Sequence, residues 1–234
     1  MLKPATIPHD RGLRIVGDVH GDRRGLAAAL ATDRFVIQLG DLVDDGPDSA
    51  GTLTLMLDRL DAGDGIFLLG NHDYKLARAL RGDRVVRGPA LVDTLASLSP
   101  ALAKRAYHAI TAAPIWLVGA KCVFVHGGFH PAMAYAPSPA FPAKQPDPLT
   151  ARALYGETTG RTTGAGRPER LLRWVEAIPP DFTVYCGHDQ RSSDGRPLTL
   201  TNRAGGRAVF MDTGAGKGGH LSWIDLPAFN QRQM

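Results

Sequence analysis

Leu13-Arg14-Ile15-Val16-Gly17-Asp18-Val19-His20-Gly21 is the stretch on which the reading of the fold turns. Its first four residues are mostly apolar and partly β-branched, the text of a buried strand. Gly17 then lets the backbone leave that strand sharply and approach a ligand closely. Asp18 and His20 are two residues apart, so an extended backbone aims both side chains to the same side.

The same pattern recurs outward along the chain. Apolar runs at 35–39, 66–69, 122–125, 182–186 and 208–211 read as further buried strands. Each is followed by a polar residue flanked by glycine. In order these are Gly40-Asp41-Leu42-Val43-Asp44, Gly70-Asn71-His72-Asp73, His126-Gly127-Gly128, Gly187-His188-Asp189 and Asp212-Thr213-Gly214. Between and after the first three runs the spacing predicts helices over 24–31, 49–60 with Ser49 as cap, 74–81 ended by Gly82, 89–98 and 100–110. Pro89 and Pro100 suit first-turn positions. Strands alternating with helices define an α/β domain, whose sites lie at the carboxyl ends of the strands. The six strand ends are therefore expected to converge.

The chain has 234 residues, 44% of them hydrophobic, enough to bury a proper core within one domain spanning 1–234. Six prolines between 131 and 148 exclude a regular helix or central strand there. That segment is read as a Pro/Ala-rich loop, either a lid over the site or a plain surface excursion. No run of 18 apolar residues exists, and the start Met1-Leu2-Lys3-Pro4 lacks a secretory signal, so the expected location is cytoplasmic, away from membranes. Cys122 and Cys186 lie in apolar runs and are read as small buried hydrophobes. The formal charge of +4 hides a bias of 21 arginines to six lysines. Arginine forks match phosphate oxygens, so the bias suits phosphorylated substrates, although a GC-rich coding sequence would also produce it. No aromatic-rich basic stripe is present, which argues against extended nucleic-acid recognition.

Singly, each strand-end fragment is common loop text. Together, Asp18, His20, Asp41, Asn71, His126 and His188 supply the carboxylate, amide and imidazole donors that manganese, zinc, iron or nickel accept. Two divalent ions are expected, manganese foremost.

The ordered motifs GDVHG, GDLVD, GNHD, HGG, GHD and DTG resemble the calcineurin-like metallophosphoesterases, specifically the phosphoprotein-phosphatase branch that includes bacterial Ser/Thr-type phosphatases. The segment Tyr155-Gly156-Glu157-Thr158-Thr159-Gly160 further resembles the phosphatase module of bacterial polynucleotide kinase-phosphatases. The resemblance implies a four-layer α/β/β/α sandwich of two mixed sheets flanked by helices. It puts Asp18 and His20 on one metal, Asp41 between both, and Asn71, His126 and His188 on the other. Hydroxide bridging the metals would attack phosphorus, with His72 as general acid oriented by Asp44.

One departure stands out. Where the family's second motif continues with a phosphate-gripping arginine, this chain has Asp45. Placing a carboxylate where phosphate docks means that the phosphate is held differently or the activity is altered. Arg161 and Arg167 are the foremost candidate substitutes; Arg23, Arg24, Arg191 and Lys217 are others. Three readings follow. The first is a phosphate-monoester hydrolase acting on phosphoproteins or small metabolites. The second is a nucleotide or RNA-end hydrolase, cleaving dinucleoside polyphosphates or 2′,3′-cyclic phosphates. The third is a metal-binding but catalytically weak protein that recognises a partner.

Overall fold

The computed structural model describes residues 7–164, 166 and 168–228. In chain order the regular elements are β1 (Leu13–Val16), α1 (Arg23–Leu30), β2 (Phe35–Gln38), α2 (Ser49–Asp61), β3 (Gly65–Phe67), α3 (Asn71–Arg81), α4 (Pro89–Ser97) and α5 (Pro100–Ala112). They continue with β4 (Trp116–Gly119), β5 (Cys122–Val125), α6 (Pro148–Tyr155), β6 (Glu157–Thr162), β7 (Pro168–Leu171), β8 (Thr183–Cys186), β9 (Leu198–Thr201), β10 (Arg207–Phe210) and β11 (Trp223–Leu226).

The strands form two mixed sheets, ordered β11-β1-β2-β3 and β4-β5-β8-β10-β9, with β6 and β7 as a separate hairpin. Within the first sheet β1 runs parallel to β2 with Leu13 opposite Phe35, and antiparallel to β11 with Leu13 opposite Leu226. In the second, β8 lies between parallel neighbours, Val184 facing Val123 and Ala208.

Period-two alternation sorts the side chains into layers. Leu13, Ile15, Phe35 and Ile37 of the first sheet meet Cys122, Phe124, Tyr185 and Val209 of the second in one buried cluster. The Phe124 and Tyr185 rings stack there with centroids 5.4 Å apart. The opposite faces, Val16, Val36 and Phe67 on one sheet and Val123, Val125 and Val184 on the other, belong to a second cluster with helical residues such as Leu26, Leu53, Leu76 and Leu154. This is the α/β arrangement of two mixed sheets flanked by helices. Both cysteines are buried and free, as small hydrophobes.

Three local differences from the sequence reading bear on the site. The cap of α2 is Asp48, whose carboxylate accepts from the amide of Gly51; Ser49 is the first helical residue and its hydroxyl accepts from the amide of Asp44. α3 begins at Asn71 rather than Tyr74, because Gly70 serves as N-cap and Asp73 accepts from its amide. Asn71 and His72 therefore ride on a helix's first turn. The proline-rich stretch holds a single 3-10 turn, Pro131–Ala134, before α6 starts behind its cap, Asp147.

Candidate active site

Every side chain of the expected metal set except Asn71 and His188 is almost fully buried, and all six are brought together from different strand ends. Asp41 lies at the middle. Its Oδ2 is 3.6 Å from Nε2 of His20 and 3.4 Å from Nε2 of His126. Oδ2 of Asp18 is 3.8 Å from Nε2 of His20, and Oδ1 of Asn71 is 3.0 Å from Nε2 of His126. Ligand atoms of Asp41, His126 and His188 lie within 4.8 Å of one another, as do those of His20, Asp41 and His72.

Backbone contacts decide which nitrogens face inward. Nδ1 of His20 is 3.1 Å from the carbonyl of Val43 and Nδ1 of His126 is 2.8 Å from that of Leu39. Each ring donates through Nδ1, which leaves Nε2 as the nitrogen turned toward the ion site. The amide of His188 donates to both oxygens of Asp18, at 3.1 and 3.0 Å. Asp73 ties two motifs together: its carboxylate accepts from the amides of Asp41 at 2.7 Å and Leu42 at 3.1 Å.

The backbone is bent hard to achieve this. His20, Asp41, Asp44, Asp45 and His188 all have positive φ, between 45° and 69°, and among the described residues the only other non-glycine with that geometry is Asp181. Such conformations cost of order 1 kcal/mol or more each, and they concentrate where a site demands a particular aim.

The residues suit divalent cations on three counts. First, Nε2 of His188 is buried without a hydrogen-bond partner, an expensive state for a polar atom unless an ion takes its lone pair. Second, burial, then the carboxylate of Asp212, pushes Asp18 well above the usual carboxylate range. A buried acidic group of this kind calls for positive charge. Third, burial, followed by His126 and Arg170, holds His188 well below the ordinary imidazole value, in the neutral form that ligates metals. His126 behaves differently. Burial lowers its pKa, but Asp41 outweighs this and lifts it to about 9, so an ion binding there displaces a proton.

His72 stands on the open side of the cluster. Nδ1 is 2.8 Å from Oδ2 of Asp44, whose other oxygen accepts from the hydroxyl of Thr94 at 2.7 Å. Burial opposes protonation of His72, yet Asp41 and then Asp44 raise its pKa to about 9.

The substrate-binding expectations fare unevenly. Arg161 is exposed on the β6–β7 hairpin, and Arg167 lies outside the described residues. Arg23 pairs with Asp48, and Arg191 with Asp189. Asp45 is at the rim, 3.6 Å from Nδ1 of His20 and 3.4 Å from Nζ of Lys217. Sequence reasoning missed Thr94, the charge of Asp212 beside Asp18, and Arg170. That arginine donates to the carbonyl of Tyr155 at the base of the hairpin and bears electrostatically on His188. Arg170 sits nine residues past Arg161 in the same arginine-rich text, so the region was legible although the residue was not.

The calcineurin-like phosphoesterase profile matches residues 13–196. The chain belongs to that family. It is a metallophosphoesterase and a hydrolase, and the family implies divalent metal ions. Over 229 residues it is 26% identical to the bis(5′-nucleosyl)-tetraphosphatase PrpE (asymmetrical) of Oceanobacillus iheyensis, covering 91% of this chain and 88% of that one. The protein of the same name from Bacillus velezensis is also 26% identical, with the same coverages. A serine/threonine phosphatase structure from Saccharomyces cerevisiae, with similarity to human phosphatase PP5, shares the fold at a TM-score of 0.61 and 13% identity, over 98% of this chain and 85% of that one. Among the described residues no helix of this phosphoesterase is long and apolar enough to cross a membrane.

Proposed function

We propose that this phosphoesterase uses two divalent ions, manganese foremost, to hydrolyse a dinucleoside polyphosphate. The observation that carries the hydrolytic reading is Asp41 Oδ2 lying between the Nε2 atoms of His20 and His126, beside the unpartnered Nε2 of His188. Asp18, His20 and Asp41 would hold one ion; Asp41, Asn71, His126 and His188 would hold the other. When bound, such ions make water a nucleophile near neutral pH and neutralise phosphate oxygens.

The rest falls to side chains of this chain. Asp44 holds Nδ1 of His72, so Nε2 is the nitrogen free to hand a proton to the departing oxygen. Thr94 and Ser49 fix Asp44 from behind, which keeps the ring from turning. Arg170, at the base of the hairpin near His188, is the arginine best set to meet substrate phosphate.

The substrate class is supported by the names of the relatives, which cover most of this chain. Monoester hydrolysis is the second reading, favoured by the His72–Asp44 pair, since a basic alkoxide or phenoxide leaves only with a proton. The deciding measurement is kcat/KM of the manganese-loaded protein on diadenosine tetraphosphate, p-nitrophenyl phosphate, its bis-ester, a phosphopeptide and an RNA 2′,3′-cyclic phosphate. Diadenosine tetraphosphate should be turned over best, to unequal nucleotide products. A phosphopeptide or monoester turned over best would displace this substrate assignment, and silence on the whole panel with metal bound would revive partner recognition.

A further inference from the structure

The loop that carries Lys217 is built to deliver an ammonium group to one place. Gly214, Gly216 and Gly218 all have positive φ, and the amide of Lys217 closes a turn on the carbonyl of Gly214 at 3.0 Å. Gly216 is pressed against the first motif: a Cβ there would lie 2.0 Å from the carbonyl oxygen of His20. Gly46 is as tight on the other side, its Cβ position 1.9 Å from the same oxygen and 3.0 Å from the Cα of Gly216. Only glycine at both positions lets the two loops share that oxygen. The stem of Lys217 thus starts from a fixed point next to both His20 and Asp45.

Its Nζ lies 2.8 Å from Nε2 of His20 and 3.4 Å from Oδ2 of Asp45, and about a third of the side chain remains open to solvent. An ammonium has three donors and no acceptor, so it occupies the one lone pair that His20 has free, its Nδ1 being engaged with Val43. A divalent ion bonds imidazole nitrogen at about 2.0–2.1 Å. The two cations cannot use that lone pair together.

We propose that Lys217 yields Nε2 of His20 to the metal ion and then, tethered by Asp45, grips the substrate phosphate. The inference rests on the metal-dependent reading above. Once displaced, the ammonium keeps its pairing with Asp45 but stays near a dication, and a phosphate oxygen placed between the two cations lowers their repulsion. Asp45 then has a definite part: it does not meet the phosphate but holds the lysine that does. The carboxylate and the ammonium together supply, from two loops, the cation that the second motif does not carry.

The test uses the intact protein and calorimetry, without turnover. Manganese is titrated into metal-stripped wild type, Lys217→Met and Lys217→Arg, and inorganic phosphate is then titrated into each loaded form. Lys217→Met should bind manganese a few-fold more tightly, having lost the competing cation, and phosphate about tenfold more weakly, having lost a charge-assisted hydrogen bond. Lys217→Arg should recover most of the phosphate affinity. Phosphate affinity unchanged in Lys217→Met, with manganese bound, would overturn the proposal while leaving the metal site standing. Wild type that bound no manganese would overturn the metal reading, and this inference with it.

Discussion

Nδ1 of His72 lies 2.8 Å from Oδ2 of Asp44, an almost wholly buried carboxylate facing a ring that keeps a quarter of its surface open. The buried partner fixes orientation and charge, and the open edge is where a leaving oxygen can arrive. If His72 gives the proton, its value depends on how basic that oxygen is. His72→Asn should lower kcat on phenyl phosphate by about 10²–10⁴, and by far less on p-nitrophenyl phosphate, whose phenoxide leaves readily. Equal losses on both substrates would mean that His72 only shapes the site.

Thr94 reaches the same carboxylate from α4, through a 2.7 Å hydrogen bond to Oδ1 of Asp44. It touches no reacting atom, so its effect passes through Asp44 and His72. Thr94→Val removes one hydrogen bond to a charged group, worth about 1–2 kcal/mol, so kcat on phenyl phosphate should fall roughly five- to thirtyfold. KM should hold, and the loss should vanish in a His72→Asn background. An additive loss there would place Thr94 in general packing instead.

How much of this was visible in the sequence follows from burial. β1, β2, β5, β8 and β10 lie inside sheets and read as apolar runs nearly to the residue. β9 and β11 are sheet edges of partly covered and open residues in which polar side chains interrupt the apolar ones, so no apolar run announces them. The edge strand β4 does carry one, Ile115-Trp116-Leu117-Val118, which lies outside the six runs read as strands. The hairpin of β6 and β7 is mostly polar and exposed, and Pro168 opens β7 because a hairpin edge tolerates a missing donor. Asp18, Asp41 and His126 were legible because a glycine marks the turn after each inner strand. Thr94 and Arg170 were not, because a helix face and a hairpin base reach the site only through tertiary packing.

The unpartnered Nε2 of His188 gives metal removal a measurable consequence. An ion that binds only the folded chain stabilises it by mass action, about 2.7 kcal/mol at a hundred times its Kd. For a chain of this size that corresponds to a rise in Tm of roughly 5–10 °C. Manganese added to chelator-stripped protein should produce such a rise in a thermal melt. In His188→Ala the rise should shrink by half or more, while the metal-free Tm stays level or climbs as the stranded atom disappears. An identical shift in both proteins would remove His188 from the metal set.

The far end of α3 carries a pH-dependent clamp that leaves the site alone. Asp83 accepts from Arg81 at 2.5 Å and from Nε of Arg78 at 3.1 Å, just beyond the helix's left-handed Gly82. The hydrogen bond from Arg81, then that from Arg78, outweighs desolvation and holds its carboxyl down at about 2. The folded value lies below the unfolded one of about 3.9, so the clamp stabilises fully above that pH. It is lost as pH falls from about 4 to about 2. Urea denaturation of metal-free wild type and Asp83→Asn should therefore show a small stability gap that is constant from neutral pH down to about 5. That gap should close on further acidification and narrow in high salt, because the pair is near the surface. Manganese affinity and kcat should be equal in the two proteins. A gap that widened in acid would mean that Asp83 is stabilised as the neutral acid, and that the arginines do not hold its charge.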